Sequence, residues 1–469
     1  MLIKSSFRFA CTLLVLFFCC SKVKSQNKVL SLKEALETGL ANYGTIKAKS
    51  NYVHASDAAV RQSQREYLPD FSVSAQHDYG TINGQNGAFY GFRGLNSSSS
   101  GPPLETQNWN AAFGSLYLAN VSWDFFSFGK AHEKIEVARA SRQQDQSDLV
   151  QEQFQHQVRV ASAYLNLQAA QRLTRSQERN LERALALKRV VVARAKNGLN
   201  PGVDSSLANA EVSNAKIALT RAKDTEQEQG NQLAQFLGVP VQNFVLDSIF
   251  ITKIPVAFGA NTSLPAENHP VLSFYRNRVN LSQHREKYFR TFQYPTFSFF
   301  SVLQGRGSGF RYDYNGSNSE AYSKSFREGI VPTRGNYLVG VGLVWNLISS
   351  LRVQQQVQAQ QFTSQALQEE YTLINQRLQA QLALAETKIQ NALSNYREAP
   401  IQIQAASTAY TQKSVLYTNG LATIVDITQA LYSLNRAEID RDIANSNVWQ
   451  ALLLKAAATG DLDLFTSEF

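Results

Sequence analysis

One plan written twice constrains this chain more than any other feature. Asn197-Gly198-Leu199 is followed by Val203-Asp204, and Asn419-Gly420-Leu421 by Val425-Asp426, at a constant offset of 222. The same offset carries Trp123 onto Trp345, and Ala208, Ala215 and Ile217 onto Ala430, Ala437 and Ile439. Upstream the offset becomes 226, matching Asn42 with Asn268, Pro69 with Pro295, and Phe71-Ser72 with Phe297-Ser298. Single coincidences are common in helical sequence, but landmarks in one order over residues 42–217 indicate a duplicated fold. The expected organisation is residues 1–25 as an export signal, 26–245 as a first repeat and 246–469 as a second.

Each repeat reads as helix, strand pair, long helix, helix. In the first, Ser31-Leu32-Lys33-Glu34 has the form of a capping box that opens a helix. Pro69 ends a second helical stretch. Phe71, Val73 and Ala75 then alternate with Ser72, Ser74 and Gln76, the pattern of a strand with two unlike faces. A return strand places Phe113, Tyr117, Ala119, Val121 and Trp123 on one face, with Gly114, Asn120, Ser122 and Asp124 on the other. In the second repeat Tyr337, Val339, Val341, Leu343 and Trp345 oppose Gly340, Gly342 and Asn346. From Lys130 to Lys196 there is neither proline nor glycine, enough for about 100 Å of helix. Residues 351–418 are comparable, with a kink expected at Pro400. Tyr371, Ile374, Leu378, Leu382, Ala385, Ile389, Leu393 and Tyr396 form a stripe near the coiled-coil period. Eight glutamines occupy residues 353–368; neutral polar faces suit a wall that meets water without a strong field.

The chain has three cysteines, Cys11, Cys19 and Cys20, all near its start. Lys4 and Arg8 precede the apolar run Phe9–Cys20, and Val23-Lys24-Ser25 offers a cleavage site, so the mature chain is expected to begin near Gln26. It would then hold no disulfide or thiolate site. Lipidation at Cys19 or Cys20 is the alternative, disfavoured by Phe18 before Cys19. Four of the nine excess positive charges lie in residues 1–25. No basic run with interleaved aromatics remains, so nucleic-acid binding is not indicated. No run of eighteen apolar residues occurs, which excludes a polytopic helical membrane protein.

Enzymatic and metal-binding patterns are absent. His54, His77, His132, His156, His269 and His284 form no zinc-binding helix motif. Gly305-Arg306-Gly307-Ser308-Gly309 has the look of a phosphate loop but opens no helix; beside Tyr312, Tyr314 and Tyr322 it reads as the outer turn of the second strand pair. No catalytic residue, cofactor or metal is expected. The strand pairs fit either a soluble sandwich or a membrane wall with lipid outside and water inside. Strands of ten or more residues meet the roughly 9–11 needed to cross a bilayer at a tilt. Four strands cannot close a barrel, and an open edge is not viable in lipid, so a membrane reading requires an oligomer. An exported coiled-coil scaffold with small β-domains and no channel is the other reading.

With these residues in view, the chain resembles the TolC family of outer membrane efflux proteins. Leu30-Ser31-Leu32-Lys33-Glu34-Ala35-Leu36 with Ala41-Asn42-Tyr43 resembles the family's first helix. Leu68-Pro69 and Tyr294-Pro295 resemble its approaches to the barrel. The turns at 197–204 and 419–426 resemble its two helix tips. The resemblance implies an α+β membrane protein: a homotrimer with a 12-stranded β-barrel, four strands per chain, continued by a long α-helical barrel in the periplasm of a Gram-negative bacterium. It implies contact with outer-membrane lipid, and with a periplasmic adaptor protein through Gly198, Leu199, Gly420 and Leu421. An inner-membrane transporter would lie behind the adaptor. Asp426 matches a carboxylate ringing the closed periplasmic entrance, Tyr417 a tyrosine of its latch, and Asp204 the latch's first-repeat carboxylate. The family's latch arginine is replaced by Ala422 and its second ring carboxylate by Gln429. Both tip turns also have plain capping roles: Gly198 and Gly420 as left-handed helix ends, Asp204 and Asp426 as caps of the next helices, with Gln429 completing a capping box after Asp426.

Overall fold

The computed structural model describes residues 29–84, 101, 103–198, 201–255 and 268–468. The expected signal segment and Leu199 lie outside the described residues. The elements in chain order are β1 (Val29–Leu30), α1 (Leu32–Asn42), α2 (Gly44–Arg65), β2 (Asp70–Thr81), β3 (Ala111–Phe126), α3 (Lys130–Lys196) and α4 (Gly202–Leu237). They continue with β4 (Val245–Leu246), α5 (Ile249–Thr252), α6 (Pro270–Arg290), β5 (Thr296–Ser308), α7 (Phe326–Ile330), β6 (Arg334–Val344), α8 (Ser349–Thr418), α9 (Ile424–Thr459) and α10 (Asp463–Thr466). Shifted by 222, α4 coincides with α9 at both ends, and the last residue of α3 falls on the last residue of α8. The helix α8 contains Pro400 and continues through it as one element. No helix among the described residues is long and apolar enough to cross a membrane.

Two compact units each draw on both repeats: residues 1–51, 147–275 and 370–469 form one, residues 52–146 and 276–369 the other.

In the first unit, Ser31 caps α1 by accepting from the Glu34 amide at 3.2 Å. The expected stripe on α8 is its packed face: Leu378, Leu382, Ala385 and Ile389 are buried, spaced 4-3-4 as in a coiled coil. The largest core cluster joins Leu32, Ala35 and Leu36 of α1 to Val160 and Tyr164 of α3, Leu233 and Leu237 of α4, and Trp449 and Leu452 of α9. The α3–α9 contact also holds a two-pronged ion pair, Arg183 to Glu438 at 2.8 and 3.1 Å. Two glycines show how the repeats are locked. Gly238 and Gly460 end α4 and α9 with φ of 65° and 77°, a region that L residues with side chains avoid. A Cβ on Gly238 would meet Asn42, and one on Gly460 would meet the His269 ring at 2.6 Å.

His269 is itself a helix cap. Its Nδ1 accepts from the Val271 amide at 3.1 Å while Nε2 lies 3.2 Å from the Ala457 carbonyl, so the ring is neutral with its proton on Nε2. Burial pushes its pKa below the usual histidine value. An unfolded chain therefore binds this proton more readily than the folded one. Stability from His269 is complete above about pH 6.5 and falls as pH drops toward the folded pKa. Thermal melts at pH 7.5 and pH 5 should show a smaller acid-induced loss for His269→Asn than for the natural chain. Equal losses would show that other groups carry the acid sensitivity.

In the second unit, the four strands form one antiparallel sheet in the order β2-β3-β5-β6. The register puts Phe71, Val73, Val121, Trp123, Phe299, Leu303, Val339 and Val341 on one face. All five Asp and Arg residues of the strands, Asp70, Asp78, Asp124, Arg306 and Arg334, lie on the other. A bulge after Trp123 shifts Phe126 onto the apolar face beside Phe297, where Phe128 and Tyr294 join it. One shared contact explains the tryptophan landmarks. Trp123 Nε1 donates to the Tyr67 carbonyl at 2.8 Å and Trp345 Nε1 to the Gln293 carbonyl at 3.1 Å. Each indole pins the turn that leads into its strand pair.

One sequence expectation changes here. Gly305–Ser308 is strand, not turn, because β5 runs to Ser308. The outer end of the apolar face is covered by residues 326–332: Ser115 and Tyr117 hydroxyls both donate to the Ile330 carbonyl, and Gly307 leaves room for the segment's backbone. Gly340 is not open wall, since a Cβ there would meet the Phe300 ring at 2.5 Å. Side-chain chemistry also separates the repeats. Arg142–Asp57 and Lys134–Glu66 ion pairs join α2 to α3. Between α6 and α8 the bonds are not ion pairs: Ser282 meets Ser364 at 2.8 Å and Gln360 at 2.6 Å, and Gln361 donates to Glu286 at 3.0 Å.

Candidate functional site

The two turns at the helix tips belong to the first unit. Gly198 and Gly420 have φ of 72° and 78°, so both end their helices in the left-handed region as expected. The helices that follow start earlier than the capping pattern suggested. Thr423, not Asp426, is the N-cap of α9. Its hydroxyl accepts from the Asp426 amide, and the Asp426 carboxylate accepts from the Thr423 amide at 3.0 Å. Asp426 is thus the third residue of a capping box, and Gln429 has no part in it. The physical reason is local: a threonine stands three residues before the carboxylate, the spacing the box requires. Pro201 is the N-cap of α4, without a side-chain cap bond. Asp204 therefore sits in the first turn, where a carboxylate meets the positive end of the helix dipole.

Asp426 has a second partner, Lys413 Nζ at 3.1 Å. The Thr423 hydroxyl, its amide and then Lys413 hold the Asp426 carboxyl down at about 2. Its charge is therefore fixed across physiological pH and largely balanced within the chain. Tyr417 is 1% exposed. It packs among Leu187 and Val191 of α3, Val212 of α4, and Ile427 and Leu431 of α9. Leu421 and Val425, one on the turn and one on the first turn of α9, project into solvent.

Sequence reasoning missed Arg194. Its guanidinium lies 5.6 Å from the Tyr417 ring centre and donates to the Thr418 carbonyl at 2.6 Å. The side chain ties the first-repeat tip to the second, and it satisfies a carbonyl that the end of α8 leaves without a helical partner. Ala422 cannot supply an arginine, but Arg194 brings one to the same tyrosine from α3. No local signal marks it, because its partners lie more than 220 residues away in sequence.

The sheet of the second unit is a candidate site in its own right. Its outer strands, β2 and β6, each leave one edge unpaired among the described residues, which a protein in lipid must close. Because β2 and β6 run in opposite directions, β6 of one copy next to β2 of another continues the antiparallel pattern. A head-to-tail arrangement of this kind closes into a ring only where the rotation between copies completes a full turn. No group of three metal-ligating side chains occurs among the described residues.

A four-stranded antiparallel sheet with one apolar and one charged face, in a chain that also carries paired long helices, defines an α+β fold. Residues 35–239 match the model of the outer membrane efflux protein family. No curated protein matches the sequence. Among solved structures, the fold is similar to that of the outer membrane protein VceC of Vibrio cholerae (15% identity, 92% of this chain and 96% of that one, TM-score 0.70). It is similar also to the CmeC outer membrane channel of Campylobacter jejuni (14%, 92% and 85%, 0.72). The open state of the MtrE outer membrane channel of Neisseria gonorrhoeae matches comparably (14%, 92% and 89%, 0.69).

Proposed function

We propose that this protein is the outer-membrane exit duct of a tripartite efflux or type I secretion system. It conducts substrate passively from a periplasmic adaptor and inner-membrane pump to the outside. The observation that carries this reading is the segregation of charge on the sheet. Val73, Val341, Leu303 and Tyr337 are exposed on the face that carries no Asp or Arg. In an exported scaffold that face would stand in water; in a membrane it meets lipid, and the charged face meets a water-filled lumen. Three copies supply twelve strands and close both edges. The protein is not an enzyme. Residues 1–25 are removed on export, and the mature chain consists of the repeats 26–245 and 246–469.

In this reading Asp204, Tyr417 and Asp426 belong to the periplasmic entrance, and the turns at Gly198–Leu199 and Gly420–Leu421 meet the adaptor. Arg194 holds the second-repeat tip against the first. The test is conductance of the purified trimer in a planar bilayer. Arg194→Gln should raise the mean conductance severalfold, because the Thr418 carbonyl and Tyr417 ring lose their anchor. Asp426→Asn should leave the trimer intact, since asparagine caps nearly as well. It should change block by a polyvalent cation only slightly, because Lys413 already balances the carboxylate. A protein that forms no heat-modifiable trimer and washes from membranes with urea would overturn the duct and return the scaffold reading.

A further inference from the structure

A cleft of about 430 Å³ opens in the first unit between α3, α8 and α9. Its floor is apolar: Leu453 of α9 is buried, and Val158 of α3 and Leu454 of α9 are half-buried. Its rim is polar and exposed, with Lys388, Asn391 and Asn395 on α8 and Asn447 on α9. The seam beside it is closed, because Ile389 and Ala392 of α8 pack on Val448 and Ala451 of α9. On the other side Gln450 donates to Asn166 at 2.9 Å, which ties α9 to α3.

What the rim lacks is a counter-charge. Among the described residues no acid lines the cleft. On α8 the positions that face Lys388, three and four residues away, are Leu384, Ala385, Asn391 and Ala392. Glu386 is two residues off, which turns it to another side of the helix. Lysines elsewhere in the chain have carboxylate partners: Lys49 with Asp148, Lys134 with Glu66, and Lys413 with Asp426. Lys388 has none among the described residues. The side chains of Asn391, Asn395 and Asn447 make no hydrogen bond to a described residue either. Their amides stand ready both to donate and to accept.

We propose that this cleft binds small organic acids. The Lys388 ammonium pairs with the carboxylate, the asparagine amides hold polar groups along the ligand, and Val158, Leu453 and Leu454 take its apolar body. Lys388 and Asn395 lie two turns apart on α8, about 10 Å, so the site suits a bicyclic aromatic or medium-chain acid. One ammonium balances a single negative charge, and no arginine fork lines the cleft. That favours a monocarboxylate over a phosphate dianion. An apolar floor joined to a few convergent polar groups is the usual form of a small-molecule site. The site needs only the first unit, so it goes beyond the duct reading and does not depend on it.

Equilibrium dialysis of the purified protein in detergent against radiolabelled 2-naphthoate measures the binding, with a detergent blank subtracted. The comparison probe is 2-naphthylmethylammonium, the same ring with the opposite charge. The natural protein should bind the acid saturably and the ammonium not at all. Lys388→Gln should weaken binding about tenfold, the loss expected for one charge-assisted hydrogen bond. Lys388→Arg keeps the charge and should retain most of the affinity. Asn447→Phe leaves the lysine in place but fills the cleft, and should abolish saturable binding. Lys216→Gln, at an exposed lysine of α4 outside the cleft, should change nothing. Melting temperatures equal to that of the natural protein establish that each variant folds. A Lys388→Gln protein that binds as tightly as the natural one overturns the site, as does equal uptake of the two probes. Absence of saturable binding overturns it as well, whatever covers the cleft in the assembled protein. None of these results touches the duct, which is tested by conductance.

Discussion

Val73→Arg should remove the protein from the outer membrane, whereas Ser72→Arg, its neighbour on the same strand, should assemble nearly normally. Val73 is 71% exposed in the single chain, on the apolar face opposite Ala119. Ser72 points to the charged face, opposite Asn120. A basic side chain facing lipid at mid-bilayer costs about 2–4 kcal/mol per chain, and a trimer carries that cost three times. In the lumen the same side chain stays hydrated. Val341→Arg, opposite Phe299 on β6, should behave like Val73→Arg. Gly340 is a poor control, since a side chain there would collide with the Phe300 ring before its charge mattered. Heat-modifiable trimer in the outer-membrane fraction is the readout. Equal loss for Val73→Arg and Ser72→Arg would mean that the two faces are wrongly assigned.

Regular elements were legible because their signals are local or periodic. The stretch from Lys130 to Lys196 lacks glycine and proline, and α3 occupies those residues. The alternation of Phe71, Val73 and Ala75 with Ser72, Ser74 and Gln76 is the facing pattern of β2. Where the reading failed, geometry overrode composition. Gly305 and Gly307 looked like turn formers, yet they continue β5, because Gly307 must admit the carbonyls of Gly329 and Val331 against its face. That hid Arg306 as a wall residue. The cap of α9 was placed at Asp426 because Asp426 and Gln429 have capping-box spacing, but Thr423 and Asp426 have it too, and only the latter pair forms. Arg194 was invisible for a different reason. It acts through a contact between repeats, which neither propensity nor spacing encodes.

The second large effect should come from Trp449. It is 1% exposed, and its indole meets the ring of Phe250 edge-on at 4.8 Å and that of Phe465 at 6.1 Å. It thereby joins three pieces of chain in the first unit: α9, the short α5 between the repeats, and the C-terminal α10. The duplication offers no backup, because the first-repeat position matching Trp449 is Gln227, exposed and bonded to Asn231. Trp449→Ala should destabilise this core by about 3–5 kcal/mol, the usual cost of removing a large buried aromatic. Trp449→Phe should cost less, about 1–2 kcal/mol. The indole Nε1 makes no hydrogen bond, so phenylalanine sacrifices volume but no polar partner. Limited proteolysis reads the difference directly. The alanine variant should release the chain beyond Thr459 early, while the phenylalanine variant should resist, since Phe250 and Phe465 keep a ring between them. Equal protease sensitivity of the two would show that the C-terminal segment is held by Leu452 and Ala456 instead, and that the aromatic cluster fills space without fastening it.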